Sequence, residues 1–141
     1  MTADIQDAIE RKLTIKAPID RVYRGFINEF LKNTEDKLAA GEHAVLDFGE
    51  YGKSSIHVVA AEPFTYFAYR WVPGTCFEGD IYAEGCTLVE LKLAEIEGGT
   101  SLTLIESGFA SLRPERYREA IDNNSAGWDE ELGNLVTSLE G

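Results

Sequence analysis

The C-terminal part of the chain carries the pattern that most constrains its fold. From Pro114 onward, apolar side chains recur at helical spacing and fall on one side of a single long helix. Proline is tolerated in a first helical turn, so the helix can begin there. A helix with a whole apolar face must bury it against another element, so the rest of the chain has to supply a large apolar surface. That face consists of Tyr117, Ile121, Trp128, Leu132, Leu135, Val136 and Leu139.

A period of two in the apolar residues predicts that this surface is a sheet. Turn residues separate the runs, and Glu97-Gly98-Gly99 is the clearest hairpin signal among them. Consecutive strands joined this tightly must be antiparallel. The predicted strands span residues 9–16, 44–49, 54–61, 65–72, 87–93 and 100–105.

Two short helices are predicted between the first strand and the remaining strands. Residues 19–31 show the i, i+3, i+4, i+7 spacing of a one-sided helix. Residues 35–40 follow plausible N-caps and precede Gly41, which can close a helix in the left-handed conformation. Residues 73–85 are irregular and fit either a mobile flap or an extra edge strand. The pattern as a whole predicts an α+β fold.

Composition limits the classes of function. The 141 residues fit one domain, residues 1–141. With 25 acidic and 13 basic side chains, the formal net charge is −12, which disfavours nucleic acid and anionic membrane surfaces as partners. We find neither a signal-like N-terminus nor an apolar run long enough to span a membrane, and we therefore expect a cytoplasmic protein without membrane insertion.

The residues that usually hold metals or cofactors are sparse. His43 and His57 are the only histidines, and neither has ligand spacing to a second histidine or to a cysteine. Cys76 and Cys86 are compatible with two free thiols or with one disulfide. The sequence contains no phosphate loop, dinucleotide fingerprint or nucleophile elbow. We predict no metal and no cofactor.

Alternation places a polar group among apolar ones on the inner face of the predicted sheet. Phe67, Tyr69 and Trp71 share one strand face, and Glu106 shares a face with Leu104. The aromatic residues can either pack in an ordinary core or line a cavity. Glu106 either points inward, as a ligand anchor or an acid or base, or the strand ends before it and Glu106 turns to solvent.

The apolar face of the long helix is interrupted between Ile121 and Trp128. Asn124 and Ser125 stand where the apolar stripe should continue, and Gly127 lies beside them. This polar notch fits a hydrogen-bonding floor, a bond to a strand edge or a bend in the helix. Glycine costs about 1 kcal/mol relative to alanine within a helix, and we expect it here to allow a close packing contact rather than a bend.

The chain resembles the START-like, or SRPBCC, superfamily in the branch related to the activator of the heat-shock-protein ATPase. The resemblance covers residues 9–139, nearly the whole chain, and it is carried by the order and spacing of several short pieces. It implies a helix-grip fold, in which a curved sheet wraps around the C-terminal helix and leaves a cavity for a hydrophobic molecule. The pieces are Ala17-Pro18, Val22-Tyr23, Glu62-Pro63, Phe67, Tyr69, Trp71, Thr87, Val89, Leu91, Gly99-Thr100, Leu102, Leu104, Ser107-Gly108-Phe109 and Gly127-Trp128.

Two departures from the family pattern concern the cavity. Many members of the branch carry a tryptophan after the first helix, where this chain has residues 28–32 and a charged short helix. The histidine often found near the end of the penultimate element is matched by Glu106. The cavity mouth and its polar group are therefore expected to differ from those of the family.

Three functions follow from the resemblance and the candidate residues. The preferred one is binding or carriage of a small hydrophobic molecule in a cavity between the sheet and the C-terminal helix. The second is a cyclase- or hydrolase-type enzyme that uses Glu106, with Tyr69 as its partner, as acid or base. The third, a chaperone partner, ranks lowest because co-chaperone members carry an additional domain; monomer and homodimer both stay open. The predicted ligand-binding residues are Phe48, Phe67, Tyr69, Trp71, Leu104, Glu106, Phe109, Asn124 and Trp128.

Overall fold

A computed structural model describes residues 6–140 of the chain. A π-helical turn, Phe26–Phe30, continues the first helix, and single 3-10 turns occur at Glu35–Lys37, Gly49–Tyr51 and Phe109–Ser111. The regular elements are β1 (Ala8–Ile15), α1 (Ile19–Gly25), β2 (His43–Asp47), β3 (Lys53–Glu62), β4 (Tyr66–Trp71), α2 (Ile81–Glu84), β5 (Thr87–Ile96), β6 (Gly99–Ser107) and α3 (Pro114–Glu140).

The six strands form one antiparallel sheet with the order β1-β6-β5-β4-β3-β2. The 27-residue helix α3 lies across the curved sheet, which confirms the predicted α+β helix-grip fold. The β5–β6 hairpin turns at the predicted glycines, and Ile96 pairs with Gly99. None of the helices within residues 6–140 is long and apolar enough to cross a membrane.

The inner face of the sheet follows the predicted alternation. On β6, Thr100, Leu102, Leu104 and Glu106 are buried, and the residues between them are partly exposed. The strand extends to Ser107, so Glu106 lies within it rather than at a solvent-facing end. Helix α3 covers this face with Ala120, Ile121, Trp128, Leu132, Leu135 and Leu139.

The short helices differ from the prediction in length and type. The α-helical hydrogen bonds of α1 give way to π-type bonds, in which the Leu31 amide donates to the Phe26 carbonyl at 3.2 Å. The predicted second helix, residues 35–40, is wrong in its extent, because only the 3-10 turn Glu35–Lys37 forms. The buried side chain of Leu38 anchors the chain after this turn. A short segment gains more by burying Leu38 than by extending a marginal helix.

The irregular segment, residues 73–85, forms no strand, so of its two alternatives the extra edge strand is wrong. It contains the one-turn helix α2, whose Asp80 side chain caps the amides of Tyr82 and Ala83. The segment is held against α3 by the Arg116 guanidinium, which donates to the Pro73 carbonyl at 2.8 Å. Its alternating glycines and acidic side chains do not provide the period-two pattern that strand pairing requires.

Both histidines of the chain meet on the outer face of the sheet. His43 on β2 pairs across the ladder with His57 on β3, and the two rings stack at 4.3 Å. The Tyr82 hydroxyl is hydrogen-bonded to Nδ1 of His57. Desolvation, followed by the proximity of His43 and Arg70, lowers the pKa of His57 from its usual value of 6.5.

We expect the His57 site to make folding less favourable as the pH falls from 7.5 to 5. A base with a lowered pKa in the folded state binds fewer protons there than in the unfolded chain, so stability is lost below about pH 6.5. Thermal unfolding across this range measures the effect. The variant His57→Gln should flatten the profile, whereas Ser55→Ala on the same strand should not. Parallel profiles for wild type and His57→Gln would contradict the assignment.

Candidate functional site

A buried carboxylate lies where the sheet and α3 meet. Glu106 has 0% exposure, and four side chains donate hydrogen bonds to it. Its Oε1 accepts from Trp128 Nε1 at 2.8 Å and from Asn124 Nδ2 at 2.9 Å. Its Oε2 accepts from Thr87 Oγ1 at 2.5 Å, Trp71 Nε1 at 2.9 Å and Asn124 Nδ2 at 3.0 Å.

These contacts make Glu106 a structural junction. They join β4, β5 and β6 to α3, because Trp71, Thr87 and the Asn124–Trp128 pair come from those elements. All the partners are neutral donors, and within residues 6–140 the ion pairs do not involve Glu106. A buried charge without a counter-ion is tolerated only when donors fully replace its water.

Asn124 also fixes the segment that follows β4. Its Oδ1 accepts the Gly74 amide at 3.0 Å, and Asn123 Nδ2 donates to the Gly74 carbonyl at 3.3 Å. Gly74 has a φ of +83°, and a Cβ there would lie 2.8 Å from Cα of Ala120. Only glycine allows this approach without moving the backbone. The polar notch predicted in α3 is therefore both a partner of Glu106 and a docking point for the loop.

Near this junction, the side chain of Tyr69 has a fully buried hydroxyl that is not hydrogen-bonded. Its Oη is buried and finds no hydrogen-bond partner among the described residues. Burial, and secondarily the Glu106 charge, raises the pKa of Tyr69 well above its usual value of 10. The hydroxyl therefore stays protonated at neutral pH and is not available as a base.

Above the junction lies a surface cleft of about 630 Å³, which we call the aromatic cleft. Its walls include Phe30, Phe48, Trp71 and the 74–76 loop, and α3 contributes Asn123, Asn124, Ala126, Gly127 and Glu130. A recess of about 90 Å³ shares Phe30 and Trp71 and reaches Trp128 and Glu131. No atom lies within 4 Å of a Cβ built on Gly127, so the expected close packing contact there is wrong, and the missing side chain widens the cleft.

The predicted ligand-binding residues divide into three sets: four at the cleft, Glu106 beneath it and four in the core. Phe48, Trp71, Asn124 and Trp128 line the aromatic cleft or its recess. Glu106 lies beneath them, bonded to three of the four. The other four pack in the core with 0% exposure and line neither the cleft nor its recess. They are Phe67, Tyr69, Leu104 and Phe109.

Several residues of the site were not among the sequence predictions, and Phe30, Thr87 and Gly74 are three of them. Phe30 belongs to the helical pattern of residues 19–31, and the π-helical turn brings it into the cleft. Thr87 shares the inner face of β5 with Val89 by alternation, which was the available signal for it. Gly74 had no signal, because its role depends on the approach of α3.

Within residues 6–140, the side chains that could hold a metal do not converge. Cys76 and Cys86 are both free thiols, and Cys76 lies on the cleft wall. Over residues 6–140, no group of three histidine, cysteine, aspartate or glutamate side chains is placed to hold a metal ion.

Solved structures share this architecture. Protein MLL2253 from Mesorhizobium loti matches with a TM-score of 0.75 and 23% identity, over 94% of this chain and 96% of that chain. The dimeric Aha1 from Colwellia psychrerythraea matches with a TM-score of 0.67 and 15% identity, over 96% and 97%. DynU16, a protein of the dynemicin biosynthetic locus, matches with a TM-score of 0.71 and 22% identity over 96% of this chain.

The match to DynU16 covers 48% of that protein, so this chain spans about half of its length. Comparison of the sequence with protein-family models and with curated proteins finds no match. At identities of 23% or less, the structural similarity establishes the helix-grip fold alone.

Proposed function

We propose that this chain binds a small, largely apolar molecule in the aromatic cleft. The observation that carries the proposal is the cleft itself: about 630 Å³ of space with Phe30, Phe48 and Trp71 partly exposed around it. Ligand sites in proteins typically occupy about 300–1,000 Å³ and combine apolar walls with a few fixed polar groups. Binding is favoured when a ligand covers exposed aromatic surface, because apolar area is then removed from water.

The proposal places the ligand at the mouth between sheet and helix rather than deep beneath α3. The core side chains Phe67, Tyr69 and Phe109 have no exposed surface left to offer a ligand. Trp71 is the inner wall of the cleft, and its indole is held in one orientation by the bond to Glu106. A wall that is already ordered loses less side-chain entropy on binding.

The same contacts argue against Glu106 as an acid or base in a cyclase- or hydrolase-type reaction. Both of its oxygens are occupied by protein donors, and Trp71 and Asn124 separate it from the cleft. A general base must come within hydrogen-bond reach of the proton that it removes. We therefore assign Glu106 to positioning Trp71, Asn124 and Trp128.

Similarity to Aha1 and DynU16 supports the fold, and function at this level of identity does not transfer with it. Membership of the branch related to the activator of the heat-shock-protein ATPase remains a prediction, and monomer and homodimer both stay open. Neither adds a residue to the cleft. Binding at the cleft is the function that the described side chains support directly.

We expect an apolar ligand to protect Cys76, but not Cys86, from alkylation. Cys76 lies on the wall of the cleft, whereas Cys86 precedes β5 and does not line it. The measurement is the iodoacetamide reaction rate of each thiol, read by peptide mass spectrometry with a panel of uncharged fused-ring compounds and long-chain alcohols. A true cleft ligand should slow Cys76 at least about fivefold, because it removes solvent access to that thiol alone.

Cys86 is the internal control within the same molecule. Native mass spectrometry of protein purified from its own host provides a second readout, since a retained small molecule would identify the ligand class. The proposal fails if no compound protects Cys76 selectively and the native protein carries no small molecule. Equal slowing of both thiols would indicate general stabilisation of the fold and would also count against the cleft.

A further inference from the structure

The rings at the aromatic cleft and its recess form one cluster. Phe30 is its centre, with ring centroids 5.0 Å from Trp128, 6.0 Å from Trp71 and 6.2 Å from Phe48. The planes of these pairs differ by 48°, 72° and 45°, so the rings present faces and edges from several directions. Aromatic faces carry partial negative charge and attract cations placed within about 6 Å of the ring centroid.

The charged side chains at the cleft have one sign. Glu130 lines the cleft and Glu131 lines its recess, whereas no lysine, arginine or histidine among the described residues lines either space. Burial, and then the adjacent Glu130, raises the pKa of Glu131, and Lys32 opposes this shift in part. Lys32 borders an adjacent depression that shares Phe30 and Glu131 with the recess, and it does not line the cleft.

The electrostatic field of the whole protein is negative, like that of the carboxylates at the cleft. The chain carries a formal net charge of −12, which raises the local concentration of cations and lowers that of anions at its surface. An anionic apolar ligand would enter the cleft against this field and meet no cationic partner there. A cation would gain from the field, from both carboxylates and from the ring faces.

We infer that the ligand of the aromatic cleft is an organic cation, in which an ammonium or protonated amine is attached to an apolar, ring-containing body. This inference rests on the proposed function and adds the charge of its ligand. The apolar body would cover Phe48 and Trp71, and the cationic group would lie toward Phe30 and the Glu130–Glu131 carboxylates.

Three naphthalene probes of similar size test the inference: (2-naphthylmethyl)trimethylammonium, 2-naphthylmethanol and 2-naphthoate. Affinities are measured by calorimetric titration at 0.15 M NaCl, and Cys76 protection checks that each probe occupies the cleft. We expect the cation to bind about tenfold more tightly than the alcohol, and the alcohol more tightly than the carboxylate. Raising the salt to 1 M should shrink the cation's advantage, because exposed charges are then screened.

A pair of variants separates the local carboxylates from the general charge of the protein. The double variant Glu130→Gln/Glu131→Gln should reduce the cation-to-alcohol ratio to about threefold or less while leaving the affinity for the alcohol unchanged. The control, Glu115→Gln/Glu119→Gln, removes the same charge from the same helix away from the cleft and should keep the tenfold ratio.

Different results test the cationic ligand and the proposed binding function separately. Equal affinity for the three probes, or a preference for the carboxylate, would overturn the inference and leave cleft binding intact. An unchanged ratio in Glu130→Gln/Glu131→Gln would overturn it as well, because the preference would then come from net charge alone. Failure of all three probes to bind or to protect Cys76 would count against the proposed function itself.

Discussion

Replacing Glu106 by glutamine is expected to cost about 2–5 kcal/mol of unfolding free energy. The carboxylate accepts from Trp71, Thr87, Asn124 and Trp128, and all four are donors. Glutamine keeps one accepting oxygen and turns the other position into a donor that faces donors. Removing a buried charge recovers part of its desolvation cost, but at least one donor is left buried and unpaired, and we expect that loss to dominate.

Urea unfolding measures this cost, and the two tryptophans report the junction separately. Trp71 and Trp128 are the only tryptophans of the chain, and both indoles donate to Glu106. Folded Glu106→Gln should therefore show a shifted emission spectrum. The matched control is Glu95→Gln on β5, an exposed position that should change stability by less than about 0.5 kcal/mol and leave the emission unchanged.

The outcome also bears on the enzyme alternative. If Glu106→Gln kept wild-type stability and emission, the carboxylate would not be a structural junction, and a role in acid or base chemistry would regain support. Loss of both stability and cleft binding would instead agree with the positioning role proposed above.

Substitution of Gly74 by alanine should be the second large effect, at about 2–5 kcal/mol. The left-handed conformation at this position costs a non-glycine residue about 1–2 kcal/mol. The new Cβ would also lie 2.8 Å from Cα of Ala120, a backbone atom that a side-chain rotation cannot move aside. Overpacking of this kind adds about 1–3 kcal/mol. The loop should shift away from Asn124, and cleft binding should weaken with it.

Gly98→Ala is the matched control. Gly98 has nearly the same φ, +85°, but no atom lies within 4 Å of the point that a Cβ would occupy, so only the conformational cost of about 1–2 kcal/mol applies. The difference between the two variants in urea unfolding isolates the contact with Ala120. Cys76 protection by a cleft ligand should be lost in Gly74→Ala and retained in Gly98→Ala. Equal destabilisation of both variants would show that the loop is not docked as described.

The architecture could largely be read from local patterns. The period of two on β6 placed Leu104 and Glu106 on one face, and the helical period after Pro114 placed the apolar residues of α3 on one side. Both periods are properties of backbone geometry and need no knowledge of distant residues. The hairpin at Gly98-Gly99 is equally local, because the turn requires a positive φ at Gly98.

Local patterns failed where a short segment depends on its surroundings. The turn Phe26–Phe30 adopts π-type bonding, and there Phe26 stacks on Trp128 with ring centroids 6.3 Å apart. Residues 35–40 were too short to hold a helix by themselves. Tertiary packing therefore decided both conformations, and with them the position of Phe30 in the cleft.

The sequence alone determined the α+β frame, with α3 on an antiparallel sheet, and identified Trp71, Glu106 and Asn124 as candidate site residues. Their meeting was decided by tertiary structure, since the donors to Glu106 lie 35, 19, 18 and 22 residues away along the chain. These donors reach Glu106 only when β4, β5 and β6 pair in the correct register and α3 is correctly placed on the sheet. The same packing decides whether the inner aromatic residues enclose a cavity or fill the core. The space left between side chains depends on how the sheet and helix are placed, which the sequence does not give.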